Sequence, residues 1–78
     1  MQETKLLDYL SPGQAGQVVA VHAGEELRRR LVALGLKPGN RIELMRRGLF
    51  NGPLQVRIGT TDIIIRRRDA RHIEINVA

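Results

Sequence analysis

Residues 27–39 read LRRRLVALGLKPG, and this stretch decides the fold. It places apolar side chains at the i, i+4, i+7 spacing of one helix face, at Leu27, Leu31 and Leu34. The spacing predicts an amphipathic helix from Glu25 to Leu34. Gly35 follows the last leucine at the position where a left-handed helix cap favours glycine. We therefore expect a helix with a defined start, a buried leucine stripe and a defined end.

Short apolar runs separated by turn signals surround this helix. Alternating or β-branched apolar residues predict five strands, at Gln17–Val21, around Ile42 and Leu44, at Leu54–Ile58, at Ile63–Ile65 and at Ile73–Val77. A single helical turn at Arg68–Arg71 is expected before the last strand. Turn and cap positions are assigned to Gly13, Gly35, Pro38, Gly39, Asn51 and Gly52. Asn51-Gly52 predicts a type I′ hairpin turn, because both residues tolerate a positive φ.

Five short strands in so short a chain favour a small barrel over a sandwich of two large sheets. The predicted helix would cover an open end of the barrel with its leucine stripe. The expected fold is mostly β with one short helix, a small five-stranded barrel capped by the helix. We expect one domain that spans residues 1–78.

Composition limits the function classes. The chain has 78 residues, a formal net charge of +5 and no cysteine, which excludes a disulfide framework, a thiolate zinc site and a cysteine redox motif. No apolar run approaches the roughly 20 residues needed to cross a membrane, so no membrane insertion is expected. The first residues include Glu3 and Asp8 instead of a secretion signal, and we expect a cytoplasmic location.

Arginine supplies almost all of the positive charge, and its placement argues against nucleic acid as the partner. Arg28-Arg29-Arg30 follows Glu25-Glu26, which predicts the helical ion pairs Glu25–Arg29 and Glu26–Arg30. Single-stranded nucleic acid is bound partly by aromatic stacking, and the chain has only one Tyr and one Phe. A basic barrel that binds nucleic acid is kept as an alternative function.

Several stretches of the chain together match one known family. They are residues 7–16, residues 27–39, the hairpin around Pro53, the strand end Ile65-Arg66-Arg67, and Ala70 and Ile73. On these residues the chain resembles the FeoA-like domain family of ferrous iron transport proteins, whose fold is an SH3-like barrel. The hairpin loop at residues 48–53 and the position of Gly59 depart from the family pattern. What the family implies therefore applies less to the loop surface than to the fold.

The resemblance implies a small cytoplasmic accessory protein of bacterial ferrous iron uptake. In that family the domain acts with a large membrane GTPase, so the expected partner is the cytoplasmic part of the ferrous-iron transporter GTPase. Such a partner would hold the chain peripherally at the inner membrane. A metal-responsive regulatory module is the remaining alternative function, and a homodimer is left open.

Catalytic motifs are missing from the sequence. Ser11 is the only serine and precedes Pro12, and there is no glycine-rich phosphate loop. We therefore expect no enzyme activity.

Iron transport raises the question of a metal site, and two groups of residues are candidates. They are His22 with Glu25 or Glu26, and His72 with Asp69 or Glu74. Neither spacing is diagnostic, so any binding of Fe²⁺ or Zn²⁺ is expected to be weak, and no other cofactor is expected. The simpler interpretation has partly exposed histidines and glutamates that favour the helix dipole.

Leu49 and Phe50 are the candidate contacts with a protein partner. Apolar side chains beside a tight hairpin turn have little core to enter, so this pair is expected to be exposed. The alternative is that Phe50 folds back over its own hairpin. Basic residues expected to face an acidic partner are Arg28, Arg29, Arg46 and Arg47.

Overall fold

The computed structural model describes residues 3–77, in which six strands form one antiparallel sheet in the order β1-β6-β2-β3-β4-β5. The strands are β1 (Glu3–Leu6), β2 (Ala15–Val21), β3 (Arg41–Arg47), β4 (Leu54–Ile58), β5 (Thr61–Ile65) and β6 (Ile73–Val77). Helix α1 (Glu25–Ala33) connects β2 to β3, and the short helix α2 (Arg67–Ala70) precedes β6. Single 3-10 turns occupy Leu7–Tyr9 and Leu49–Asn51. The prediction of a mostly β barrel with one main helix is confirmed, although the sheet is not closed because β1 and β5 remain its two edges.

The sequence predicted five of these strands and missed β1. Glu3, Thr4 and Lys5 are polar and show no apolar alternation, so no local signal marks them as a strand. They are extended because they pair with β6, where Glu3 lies opposite Val77 and Leu6 opposite Glu74. Strand β1 is therefore a product of tertiary pairing.

The core follows the period-two alternation of the strands. Every second residue points inward, and the buried apolar side chains of the strands are Val18, Ile42, Leu44, Leu54, Val56, Ile65, Ile73, Ile75 and Val77. Residues from outside the strands complete the core, namely Leu7, Leu10, Leu31, Leu36 and Ala70. All of these side chains are apolar, and no polar or charged residue within 3–77 is fully buried.

The end of α1 differs from the prediction. Leu34 is 49% exposed, so the predicted stripe of three buried leucines is wrong at its last member. The helix ends at Ala33, and Gly35 reverses the chain with a φ of 103°. The N–H of Leu36 then donates to the carbonyl of Leu31 at 3.0 Å, as in a Schellman cap. Leu36 therefore takes the buried place that the periodicity had assigned to Leu34.

The other predicted glycine turns are present. Gly13 and Gly39 have φ values of 92° and 95°, a region that L residues rarely adopt. Pro38 lies in the same turn as Gly39, where the N–H of Asn40 donates to the carbonyl of Lys37 at 3.1 Å. These turns set the connections on either side of β2 and α1.

Candidate partner-binding surface

The loop between β3 and β4 exposes two large apolar side chains. Phe50 is 99% exposed and Leu49 is 84% exposed. The alternative in which Phe50 folds back over its own hairpin is therefore wrong. We call residues 48–53 the hairpin tip.

The hairpin tip is not the predicted type I′ turn. Positive φ values occur at Phe50 (54°) and Asn51 (60°), whereas Gly52 has a φ of −71°. The prediction for Asn51-Gly52 is thus wrong by one position. Its physical reason is the loop length, since the last strand pair is Arg47 with Leu54 and six residues lie between them.

Backbone hydrogen bonds hold the hairpin tip in this conformation. The N–H of Gly48 donates to the carbonyl of Pro53 at 2.8 Å, and the N–H of Gly52 donates to the carbonyl of Leu49 at 2.9 Å. A side chain at Gly48 would lie 2.8 Å from the carbonyl oxygen of Pro53. Both glycines are therefore needed for close approach of the backbone, even though neither has a positive φ.

Phe50 is strained in this turn. Its φ of 54° and ψ of 47° belong to the left-handed region, which is a rare conformation for a bulky residue. Such strain costs about 1–3 kcal/mol and is concentrated at ligand-binding and switch regions in proteins. The chain thus holds its only phenylalanine in water on a strained backbone, which is the strongest structural sign of a contact surface.

A β-bulge below the hairpin tip sets the direction of the two adjacent arginines. The register runs from Leu44 opposite Val56 to Arg46 opposite Gln55, so Met45 is the extra residue. The bulge puts Arg46 on the outer face with Gln55 and turns Arg47 to the face of the buried Leu54. Two consecutive arginines therefore reach different parts of the molecule.

Arg47 binds inside the protein. Its Nη1 donates to the backbone carbonyls of Asp8 and Leu10 at 2.9 and 2.7 Å, and so ties the hairpin to the first 3-10 turn. No sequence signal identified this role, because it depends on the bulge and on a contact across more than thirty residues. The Arg46 side chain, in contrast, is exposed to solvent. A partner contact by either arginine remains a prediction.

The helix arginines are placed largely as expected. Glu25 pairs with Arg29 at 3.4 Å, the predicted spacing, and also with Arg28 at 3.2 Å. Within residues 3–77 Glu26 and Arg30 form no ion pair. Arg28 and Arg29 thus share one glutamate at the exposed start of α1, where a partner contact is still a prediction.

His22 lies beside Glu74, which the sequence had grouped with His72, and not beside Glu25 or Glu26. His22 Nε2 lies 2.8 Å from Oε1 of Glu74 on β6, and Glu25 is occupied by arginines. The ring of His72 contacts the carbonyl of His22 through Nδ1 at 2.9 Å. In the part of the chain described, no three His, Asp or Glu side chains are grouped to hold a metal ion. The candidates His22, Glu25, Glu26 and His72 are therefore not brought together as one ligand set.

One ion pair on the outer face of β4 and β5 shifts the pKa of both partners. Arg57 Nε donates to Oδ1 of Asp62 at 2.7 Å, and Gln55 donates to Oδ2 at 3.0 Å. The hydrogen bond from Arg57 lowers the pKa of Asp62 below its ordinary value, and the same bond raises the pKa of Arg57. Asp62 therefore stays ionised, and its negative charge is balanced by the guanidinium of Arg57 within the sheet.

The fold and the exposed hairpin tip define the class of this protein: a small SH3-like barrel in which no polar or charged residue within 3–77 is fully buried. A family model described as the FeoA domain matches residues 5–77. The chain belongs to the FeoA family, and it is a ferrous iron transport protein by that membership.

Individual relatives agree with this assignment. A proposed Fe(2+) transport protein A of Campylobacter jejuni is 30% identical over 71 residues, which cover 91% of this chain and 96% of that protein. The crystal structure of an iron uptake regulatory protein, FeoA, superposes with a TM-score of 0.91 at 26% identity and covers 97% of this chain and 100% of its own. The FeoA of Stenotrophomonas maltophilia, solved with zinc and described as a prokaryotic SH3 domain protein, has a TM-score of 0.76 at 26% identity, over 97% of this chain and 89% of that one.

Proposed function

We propose that this chain is an accessory protein of bacterial ferrous iron uptake that binds the cytoplasmic part of the membrane ferrous-iron transporter GTPase and modulates its activity. The hairpin tip is the contact surface, with Leu49 and Phe50 as apolar anchors and Arg46 beside them. The chain acts in the cytoplasm, peripherally at the inner membrane, through this partner.

The strained and exposed Phe50 carries the proposal. Aromatic side chains are enriched among the few residues that dominate the free energy of protein association, and arginine is enriched with them. A rigid turn presents the ring without the entropy cost of ordering a loop on binding. Membership of a ferrous iron transport family supports the transporter as the partner.

The proposed role involves binding and no chemistry. The sequence has no cysteine, a single serine and no glycine-rich phosphate loop. We therefore expect any GTP hydrolysis in the complex to belong to the transporter. No helix among the described residues has the length and apolar character to span a bilayer.

The test uses the intact chain and the purified full-length transporter from the same organism in lipid nanodiscs. We expect saturable binding by interferometry, together with a change in the rate of GTP hydrolysis when the chain is added. A folded chain that neither binds the transporter nor changes that rate contradicts the proposal.

Weak binding of a divalent metal is a second proposal, carried by the contact between His22 and Glu74. An imidazole and a carboxylate 2.8 Å apart can supply two ligands to Fe²⁺ or Zn²⁺. Anaerobic titration with Fe²⁺ should give weak binding that His22→Ala removes. Equal binding by the wild-type chain and by that variant contradicts this second proposal.

A further inference from the structure

Strand β5 is a free edge of the sheet. It pairs only with β4 and lies at the end of the strand order. Within residues 3–77 no backbone hydrogen bond reaches β5 from any other element. The backbone donors and acceptors of β5 that do not face β4 are therefore directed away from the sheet.

The connection to β4 shows which residues these are. Gly59 and Thr60 form a two-residue loop, with Ile58 paired to Thr61, and Gly59 has a φ of 63° as the first position of a type II′ turn requires. The pair that closes such a loop is hydrogen-bonded, so Thr61, Ile63 and Ile65 direct their backbone groups to β4. Asp62 and Ile64 consequently direct theirs outward.

The two edges of the sheet differ in protection. On the β1 edge Glu3 and Lys5 form an ion pair at 3.6 Å, and exposed charges of this kind discourage strand pairing. On the β5 edge Ile64 is 65% exposed, and the one charged side chain, Asp62, is bonded to Arg57 within the sheet. The β5 edge is thus less protected against another strand than the β1 edge.

Open grooves meet at Ile64. One lies between α1 and β5, where Ile64 is joined by Leu27 and Leu34. The other lies along the hairpin, where Ile64 is joined by Leu49 and Pro53. A strand added beside β5 would place its side chains alternately on the two faces of the sheet, so each groove offers apolar contact to one set.

Arginines line both grooves. Arg30 and Arg66 lie in the first with one acid, Asp69, and Arg46 and Arg47 lie in the second, where Arg47 is already bound to backbone carbonyls. The surplus of positive charge fits an acidic occupant. A second copy of this chain fits poorly, because pairing β5 with β5 would bring the same arginines together.

We propose that β5 binds an extended acidic segment of a partner protein by strand addition, with the backbone of Asp62 and Ile64 making the new hydrogen bonds. In a segment where apolar residues alternate with acids, the apolar side chains enter one groove beside Ile64 and the acids face the arginines of the other. The proposal concerns how a segment is bound, and it rests on the proposed function only for which protein carries that segment.

The experiment is an NMR titration of the isotope-labelled full chain with a blocked synthetic peptide of about eight residues in which glutamate alternates with valine. We expect the amides of Asp62 and Ile64 to shift and to exchange with solvent at least about tenfold more slowly. The amide of Ile63, already bonded to β4, should keep its exchange rate. A matched peptide with lysine in place of glutamate should leave all three unchanged.

A pair of variants distinguishes strand addition from nonspecific binding of the peptide. Ile64→Lys should abolish the protection, whereas Val19→Lys should retain it, because Val19 is 42% exposed on β2, a strand with neighbours on both sides. Thermal melting checks that both variants are folded.

Three outcomes overturn the proposal. They are unchanged amides with the acidic peptide, equal binding of the lysine peptide, and protection of Asp62 and Ile64 that rises with protein concentration alone, since the last would make a second copy the occupant. Because the transporter is absent from this titration, none of these outcomes tests the proposed binding to the transporter, which its own experiment decides.

Discussion

The base and the tip of the β3–β4 hairpin are built in opposite ways. At the base Leu44 and Leu54 are fully buried, and Arg47 donates to two backbone carbonyls. At the tip Leu49 and Phe50 are exposed, on a backbone with positive φ. The base stabilises the fold. The tip lowers the stability, because its backbone is strained and its apolar side chains lie in water. The two ends should therefore respond differently to the same substitution.

The largest difference is expected for leucine to alanine. Leu44→Ala should lower the free energy of unfolding by about 2–5 kcal/mol, because it removes buried methyl groups and leaves a cavity. Leu49→Ala should change it by less than about 0.5 kcal/mol, because that side chain already lies in water. Urea denaturation of both variants measures the difference. Similar losses at the two positions would show that the tip is part of the core.

The next difference is between neighbouring arginines. Arg47→Met should cost about 1–3 kcal/mol, since the carbonyls of Asp8 and Leu10 lose a charged donor. Arg46→Met should stay within about 0.5 kcal/mol, because the Arg46 side chain is exposed and donates no hydrogen bond within residues 3–77. Chemical denaturation compares the two midpoints at constant m. A costly Arg46→Met and a neutral Arg47→Met would contradict the assignment of the bulge.

A smaller effect of opposite sign is expected at Phe50. Phe50→Gly should raise the free energy of unfolding by up to about 1 kcal/mol, because glycine adopts a positive φ without the clash that other residues meet. Phe50→Ala should bring no such gain, since alanine retains the Cβ. Thermal melting distinguishes the variants. A loss of stability in Phe50→Gly would mean that the turn is not strained.

The smallest effect is expected away from both ends, at the pair Arg57–Asp62. The pKa of Asp62 is lowered in the folded state, so its contribution to stability is present above the ordinary aspartate pKa and is lost as the pH falls through the folded pKa. The wild-type chain should therefore lose its small advantage over Asp62→Asn below about pH 4. Melting temperatures of both chains across this range give the measurement, and an advantage that persists at the lowest pH contradicts the pairing.

Residues with a local pattern were predicted well from the sequence. The five strands with β-branched or alternating apolar residues, the start of α1 and the left-handed Gly35 all follow from neighbours within a few positions. The exposure of Leu49 agrees with the small core that a tight hairpin turn can offer, whereas for Phe50 the sequence left folding back over the hairpin open as an alternative.

Features that depend on distant contacts were not predicted. Strand β1 exists through its pairing with β6. The internal role of Arg47 depends on the bulge at Met45, and the contact of His22 with Glu74 joins residues 52 positions apart. No period or spacing in a single sequence encodes these contacts.

The affinity of the Phe50→Ala chain for the purified transporter, measured beside its melting temperature, tests the central claim most directly. We predict a loss of affinity of at least about tenfold with an unchanged melting temperature, as expected for an exposed binding anchor. The control Val19→Ala, which removes an exposed apolar side chain elsewhere on the sheet, should bind as the wild type does. Wild-type affinity in Phe50→Ala would contradict the claim that the hairpin tip is the contact surface.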